Sequence, residues 1–407
     1  MTRMVTRMVA FLVTSLSTLC ISAGDWPQWR GINGSGVAQN VELPERWSAT
    51  ENIRWKAPLP GRGLSGPVVA DGRVYLTASS AFRNERLHVL SFDLVSGKQL
   101  WERQLWATGS TQTHEKTCPA APTPVTDGER VVALFGTFDL VCFDRSGTLL
   151  WYRSLGRDYP DVSNQVGYAT SPILWEDSLF VALETESDAF LLAIDKGTGL
   201  NRWKVPRRKT LSWATPLLLH RSVAVELLLQ SGNGLTAYDP ATGAVRWEYD
   251  EKLDAISSPV SAGGSVFAAG PLRAVEPGAL DQPAKVRWKS PKLPVATASP
   301  LVYRGRVYGV NSAGVLACGN ADDGSFLWKE RLEGPFSASP VACAGKIYYV
   351  NETGLTTVVD TEGADRIIAT NNLDEPMLAS PAIADGVLLL RSDQHLFCIG
   401  SQAQEKR

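Results

Sequence analysis

Histidines, cysteines and clustered carboxylates are where chemistry would begin in this sequence, which holds four His and six Cys in 407 residues. His88, His114, His220 and His395 make no H-E-x-x-H and no other ligand-like pair, so no metal site is assigned. His88 and His395 fall in strand patterns and read as structural. His114 lies in a long insertion, residues 105–121, beside Glu115 and Lys116, where a loop side chain is free to meet a ligand. Glu184, Glu186 and Asp188 offer oxygen ligands at the alternating spacing calcium uses. They lack the Gly and the further acid of a defined calcium loop, so a solvated loop is expected there. Arg207, Arg208 and Lys209 read as a charged connection. Gly61-Arg62-Gly63-Leu64-Ser65-Gly66 matches the dinucleotide fingerprint G-x-G-x-x-G, but Pro60 and Pro67 flank it and no βαβ unit surrounds it. Beyond Cys20 the cysteines are Cys118, Cys142, Cys318, Cys343 and Cys398, with no adjacent pair, no C-x-x-C and no haem-attachment pattern. Their odd number argues against a complete disulfide framework. No catalytic residue is assigned.

The elements that would position these groups come from an internal repeat of roughly forty residues. A Pro behind a small residue recurs at Pro67, Pro124, Pro172, Pro216, Pro259, Pro300, Pro340 and Pro381. Each opens a short apolar run, a turn and a second apolar run, the pattern of a hairpin. A second motif closes most repeats: a small residue, x, Asp, a few residues, Gly, three residues, Trp. Copies run through Asp93, Gly97 and Trp101; Asp195, Gly199 and Trp203; and Asp239, Gly243 and Trp247. Asp144, Gly147 and Trp151 form a shorter copy, and Trp328 ends one with Asn320 in place of Asp. Trp288 ends a fifth repeat without the Asp-Gly element, and Ile368 stands near the Trp place of the seventh. Asp accepts hydrogen bonds from the turn backbone, Gly takes a left-handed conformation, and Trp is an apolar plate suited to the seam between sheets. Cys142, Cys318 and Cys398 occupy the small-residue place held elsewhere by Ser91, Ala193 and Ala237, and so read as core.

Four strands per repeat cannot cover both faces of one sheet, so the repeats must stack. The predicted fold is all-β: an eight-bladed β-propeller of four-stranded antiparallel blades. The last repeat stops without its Trp strand, and Trp55 supplies it, twelve residues ahead of Pro67 as Trp247 is ahead of Pro259. An N-terminal strand completing the last blade leaves no open edge. Residues 53–400 form the propeller, 25–52 an N-terminal arm with Trp26 and Trp29 as braces, and 401–407 a tail.

Chain parity puts the inter-blade connections and the turns between second and third strands on one face. The long inserts (residues 79–86, 105–121, 156–168, 184–189 and 205–212) all fall in that class, in blades 1–4. The candidate binding face therefore carries His114, Glu115, Lys116, Glu184, Glu186, Asp188, Arg207 and Arg208.

Arg3 and Arg7, the apolar stretch from Met8 to Ile21 and the small residues Ser22, Ala23 and Gly24 predict a signal peptide over residues 1–24 and an exported chain. Cys20 raises a lipid anchor as the lesser alternative, since Leu19 is a poor residue ahead of a lipidated Cys. No second apolar span follows, so no transmembrane segment is expected in the mature chain. The net charge of −2 and the lack of a basic stripe argue against nucleic acid as a partner.

The Ala237-x-Asp239-x-x-Thr242-Gly243-x-x-x-Trp247 pattern resembles the repeat of pyrroloquinoline-quinone (PQQ)-like propellers, the quinoprotein alcohol dehydrogenases and their non-catalytic relatives such as BamB of the outer-membrane assembly machine. The opening residues Asp25 to Gly31, the stretch from Cys118 to Trp151 and Ser212 to Pro216 resemble an exported group abundant in planctomycetes. For the alcohol-oxidising members the resemblance implies a quinone over an adjacent-Cys disulfide, with calcium and a catalytic Asp beneath. This chain has no such Cys pair, and its motif Asp residues belong to turns. The expectation is thus a non-catalytic binding or scaffold protein of the envelope, with a protein or another envelope component as partner. The alternatives are a PQQ- and calcium-dependent oxidoreductase with a divergent site, a hydrolase using the loop face, or a polysaccharide-binding module using Trp106, Trp175 or Trp213 to stack on sugars.

Overall fold

In the computed structural model, residues 24–163, 166–222, 224–279 and 282–401 are described. The proposed signal peptide and most of the tail lie outside them. The described strands form eight four-stranded antiparallel sheets. Blade 1 holds Val68–Ala70, Arg73–Ser80, Arg86–Asp93 and Gln99–Trp106, running from the channel outward. The last blade joins Ala382–Ala384, Val387–Arg391 and His395–Ile399 to the N-terminal strand Ile53–Pro58, with Trp55 opposite Cys398 and Lys56 opposite Phe397. The ring closes as expected. No helix among the described residues is long and apolar enough to cross a membrane.

The repeat motif makes the seams. Trp55, Trp101, Trp151, Trp203 and Trp288 each pack on the motif Gly of the following blade: a Cβ on Gly97 would sit 2.4 Å from the Trp55 ring, and one on Gly199 2.7 Å from Trp151. These glycines also hold positive φ, +70° and +72°, so any side chain there is excluded twice. The indole N–H reaches the carbonyl just after the next motif acid: Trp55 to Leu94 at 2.9 Å, Trp101 to Arg145 at 3.0 Å and Trp151 to Lys196 at 2.9 Å. Trp247 faces the repeat that lost its Asp-Gly turn, and its indole turns instead to the buried Glu226 carboxylate at 2.7 Å. The motif acids brace their own turns. Asp195 accepts from Arg202 at 2.6 Å and from the Thr198 N–H at 2.9 Å, which holds its carboxyl down at about 2.

The seventh blade departs from the sequence expectation. Strand register pairs Val358 with Ala369, as Ala193 pairs with Trp203 and Ala237 with Trp247, so the Trp place is Ala369 and not Ile368. The missing plate comes from the arm. Trp47 stacks on Tyr348 with centroids 6.3 Å apart, where Tyr308 meets Trp328 at 5.9 Å in the blade before. The Trp47 N–H donates to Asn371 Oδ1 at 2.9 Å, and Asn371 Nδ2 donates to the Glu45 carbonyl at 2.9 Å, fixing the arm along the outer strand of blade 7.

The five described cysteines are free and buried. Cys142, Cys318 and Cys398 face Trp151, Trp328 and Trp55 across their strand pairs, which is the small-residue place. Burial pushes the Cys142 and Cys398 thiols up to about 12, so they pack as small apolar groups and not as nucleophiles.

Candidate functional site

The N-terminal arm enters the channel from the face that carries the Trp-motif turns. Trp26 exchanges backbone hydrogen bonds with Val69 of blade 1, at 2.8 Å each way. The Pro27 carbonyl accepts from Thr126 of blade 2, and the Gly36 carbonyl from Ala342 of blade 7. Arg30 is buried inside this plug, its guanidinium 5.5 Å from the Trp29 ring centroid and lowered to about 10 by desolvation. Above the plug lies a cavity of about 490 Å³ with Trp29 as its one lining residue from the arm.

Two eightfold rings form the wall. The inner ring is the small residue ahead of each blade's Pro. Its hydroxyls chain the blades together: Gly66 N–H donates to Thr123 Oγ1 at 2.9 Å, Thr123 N–H to Ser171 Oγ at 3.0 Å and Ser171 N–H to Thr215 Oγ1 at 3.2 Å. The chain continues through Ser258, Ser299, Ser339 and Ser380 with bonds of 2.9–3.0 Å, and breaks only at Gly66, which has no hydroxyl to offer Ser380. Two residues earlier on each extended connection is a second ring facing the same way, because side chains alternate with period two. Leu64, Ala121, Ala169, Trp213, Ile256 and Leu378 make its apolar arc, and Thr297 and Ser337 its polar arc.

The insertion at residues 105–121 straps this mouth. Thr108 N–H and Oγ1 donate to Asp139 at 3.0 and 2.6 Å, and the Glu115 carbonyl accepts from Arg62. His114 N–H donates to the Val166 carbonyl at 3.0 Å. Lys116 Nζ lies 2.9 Å from both carboxylate oxygens of Glu352 in blade 7, and Ser337 Oγ donates to the same carboxylate at 2.7 Å. His114, Lys116 and Thr117 thus line the cavity from above.

A family model described as outer membrane protein assembly factor BamB matches residues 46–204, 160–275, 275–369 and 312–400. The chain belongs to this family. Among solved structures, the BamB-type propeller is similar to BamB from Moraxella catarrhalis at 16% identity, with a TM-score of 0.63 over 87% of this chain and 99% of that one. It is similar to a europium-containing methanol dehydrogenase at 12% identity, TM-score 0.67, over 92% and 91%. A quinohemoprotein alcohol dehydrogenase from Comamonas testosteroni matches at 12% identity, TM-score 0.64, over 94% and 82%. No curated protein matches. At such identities the likeness is one of fold.

The residues of this BamB-type chain do not fit a quinone held with calcium. Among the described residues no Asp or Glu lines the cavity, so a hard cation would find no charged oxygen from them there. No group of three or more His, Cys, Asp or Glu among the described residues is arranged to hold a metal. The motif Asp residues point into turns at the other face, as the sequence implies.

Of the sequence candidates, the structure brings His114, Glu115 and Lys116 to the mouth, with Glu115 exposed on the strap. Glu184 and Arg207 are corrections. Glu184 ends the strand Ser178–Glu184 and is buried, not solvated. Arg207 reaches it at 2.5 Å and also donates to the Tyr238 hydroxyl, closing an ion pair inside blades 3 and 4. Each group needs the other at that depth, so neither is free to meet a partner. Glu186 is exposed, Asp188 accepts from the Ala189 N–H at 2.9 Å, and Arg208 pairs with Asp250 at 2.9 Å; none of these lines the cavity. Trp106 is 59% exposed under the Arg86 guanidinium, while Trp213 lines the cavity and donates to the Gly167 carbonyl at 3.0 Å. His88 is structural, bonded to Glu102 at 2.6 Å and Ser80 at 2.7 Å. The G-x-G-x-x-G run is the connection into blade 1: a Cβ on Gly63 would lie 2.5 Å from Arg391.

From sequence, Trp213 stands as a candidate and Trp29 only as a brace, and the two rings formed by the residues ahead of each Pro are missed. A pattern was there to find them: apolar, Ser or Thr, then x, then Ser or Thr, then Pro, in every repeat from the second onward.

Proposed function

We propose that this protein is an exported, non-catalytic binding protein of the bacterial envelope, engaging its target at the strapped mouth of the channel. The observation that carries this reading is the cavity itself. It is shaped by the fold's own eightfold repetition, plugged from one side by the arm and strapped on the other by the insertion whose Lys116 reaches Glu352 of blade 7. Its lining offers hydroxyl, apolar and indole surface, which suits recognition; it assembles no nucleophile with a base. Membership of the BamB family supports a partner in the envelope, and the predicted leader supports export.

A photo-crosslinking residue placed at Glu115 on the strap, or at Asp322 in a Trp-motif turn of the opposite face, tests the reading in envelope preparations. A discrete adduct from position 115 and none from 322 is expected. Equal labelling from both positions, or none from 115, refutes it.

A further inference from the structure

We propose that the cavity receives a neutral pyranose ring of an envelope glycan, lying across the channel axis over Trp29. This rests on reading the strapped mouth as the binding site, and it names the ligand class.

The floor comes first. Trp29 lines the cavity while the Arg30 guanidinium lies 5.5 Å from its ring centroid. An indole lining the cavity offers an electron-rich apolar surface, and the C–H groups on one face of a pyranose are the weakly positive apolar surface that packs on it. The wall comes next. The ring hydroxyls are almost fully buried, Ser171 and Ser339 at 3% and Thr123 at 2% exposure. Each accepts a backbone N–H from the neighbouring blade, and among the described residues none donates its own proton to a protein acceptor. Lining the cavity, each hydroxyl keeps its proton to donate inward, so the ring suits a ligand bearing acceptor oxygens all round its edge. A pyranose has that distribution, with oxygens around its rim and C–H on its faces.

Charge narrows the class further. Among the described residues no carboxylate lines the cavity, and the Lys116 ammonium is held by both oxygens of Glu352. Arg30 lies against Trp29 and does not line the cavity, so a charged ligand would lose its hydration without reaching a counter-charge in the lining, whereas a neutral sugar meets no such penalty. The second ring is lopsided: Thr297 and Ser337 form a polar arc across the axis from Ala121 and Ala169, flanked by Ile256 and Leu378. That asymmetry gives one orientation about the axis, with the more polar edge of the sugar toward blades 6 and 7. The volume of about 490 Å³ falls within the range of small-molecule sites.

The test is titration of the purified chain with cellotetraose and chitotetraose, read by intrinsic Trp fluorescence and calorimetry. Saturable binding of at least one neutral tetrasaccharide is expected, weakened at least tenfold by Trp29→Leu and abolished by Leu378→Trp, which fills the mouth without touching the plug. Melting temperature of Leu378→Trp controls for folding. Absence of saturation below about 10 mM for both sugars overturns the proposal; so does binding that neither substitution alters. If the sugars fail while the crosslinker at position 115 still forms its adduct, the ligand class alone falls. If both fail, the binding site falls with it.

Discussion

Replacing Trp47 by Ala removes the plate of the seventh blade without touching any strand. Trp47 is 4% exposed, stacks on Tyr348, and packs in the core cluster that joins the arm to blades 7, 8 and 1. Truncating a buried Trp costs about 3–5 kcal/mol, since the lost burial adds to an unfilled cavity. With an unfolding entropy of about 2.1 cal/mol/K per residue, a chain of this length should lose roughly 4–6 °C in Tm. Differential scanning calorimetry of the mature chain reads it directly. The register adds a sharper arm. Because Ala369 holds the Trp place of its strand pair, Ala369→Trp alone should overpack against Trp47 and cost about 1–3 kcal/mol. In the double variant the new indole enters the space the old one left, so the two losses should fall well short of additive, by 1 kcal/mol or more on the scale of about 0.5–3 kcal/mol seen for contacting residues. A Tm for Trp47→Ala within a degree of the parent, or strict additivity in the double variant, refutes the substitution of arm for strand.

Gly199→Ala should destabilise by about 2 kcal/mol or more, because its Cβ meets the Trp151 ring at a positive φ. Gly72→Ala, with a similar φ of +70° but open space around it, should cost only about 1 kcal/mol; urea denaturation separates the two. Glu184→Gln leaves Arg207 buried without its counter-charge and should cost about 3–5 kcal/mol, while Glu186→Gln at the exposed tip should stay within about 0.5 kcal/mol. Asp195 is held at about 2 by Arg202 and the Thr198 turn, against about 3.9 in the unfolded chain. A lowered folded value means the stabilisation is present above pH 4 and is lost as pH falls through 2. Asp195→Asn should therefore melt below the parent at pH 7, with the gap closing near pH 2; a gap independent of pH contradicts the assignment.

How far the sequence carries depends on what kind of contact each residue makes. Blade count and closure are legible because Gly97, Gly199 and Trp55 obey local rules: a turn requires φ above zero, and an unpaired edge requires a strand. The small-residue role of Cys142, Cys318 and Cys398 is legible for the same reason, by equivalence across repeats. Trp47 is not, because the plate of blade 7 comes from more than 300 residues away in sequence, tied by the Trp47–Asn371 bond. Glu184 and Arg207 look like loop charges since their spacing says nothing of the strand register that buries them together. The site divides likewise. His114 and Lys116 are visible as insertion residues, but the serines and threonines ahead of each Pro look like turn punctuation until the ring brings them within hydrogen-bond distance of the next blade. Trp29 reads as a brace; its place beneath the cavity follows from the arm's path through the channel.

A channel mouth that serves recognition should leave this BamB-type propeller without quinone chemistry, although it shares its fold with quinoproteins. Titration of the purified chain with pyrroloquinoline quinone and calcium, followed by absorbance, melting temperature and dye reduction with alcohols, tests it most directly. No saturable absorbance change, no thermal shift and no calcium-dependent dye reduction are expected. Stoichiometric binding with a shift of several degrees, accompanied by turnover, would contradict it.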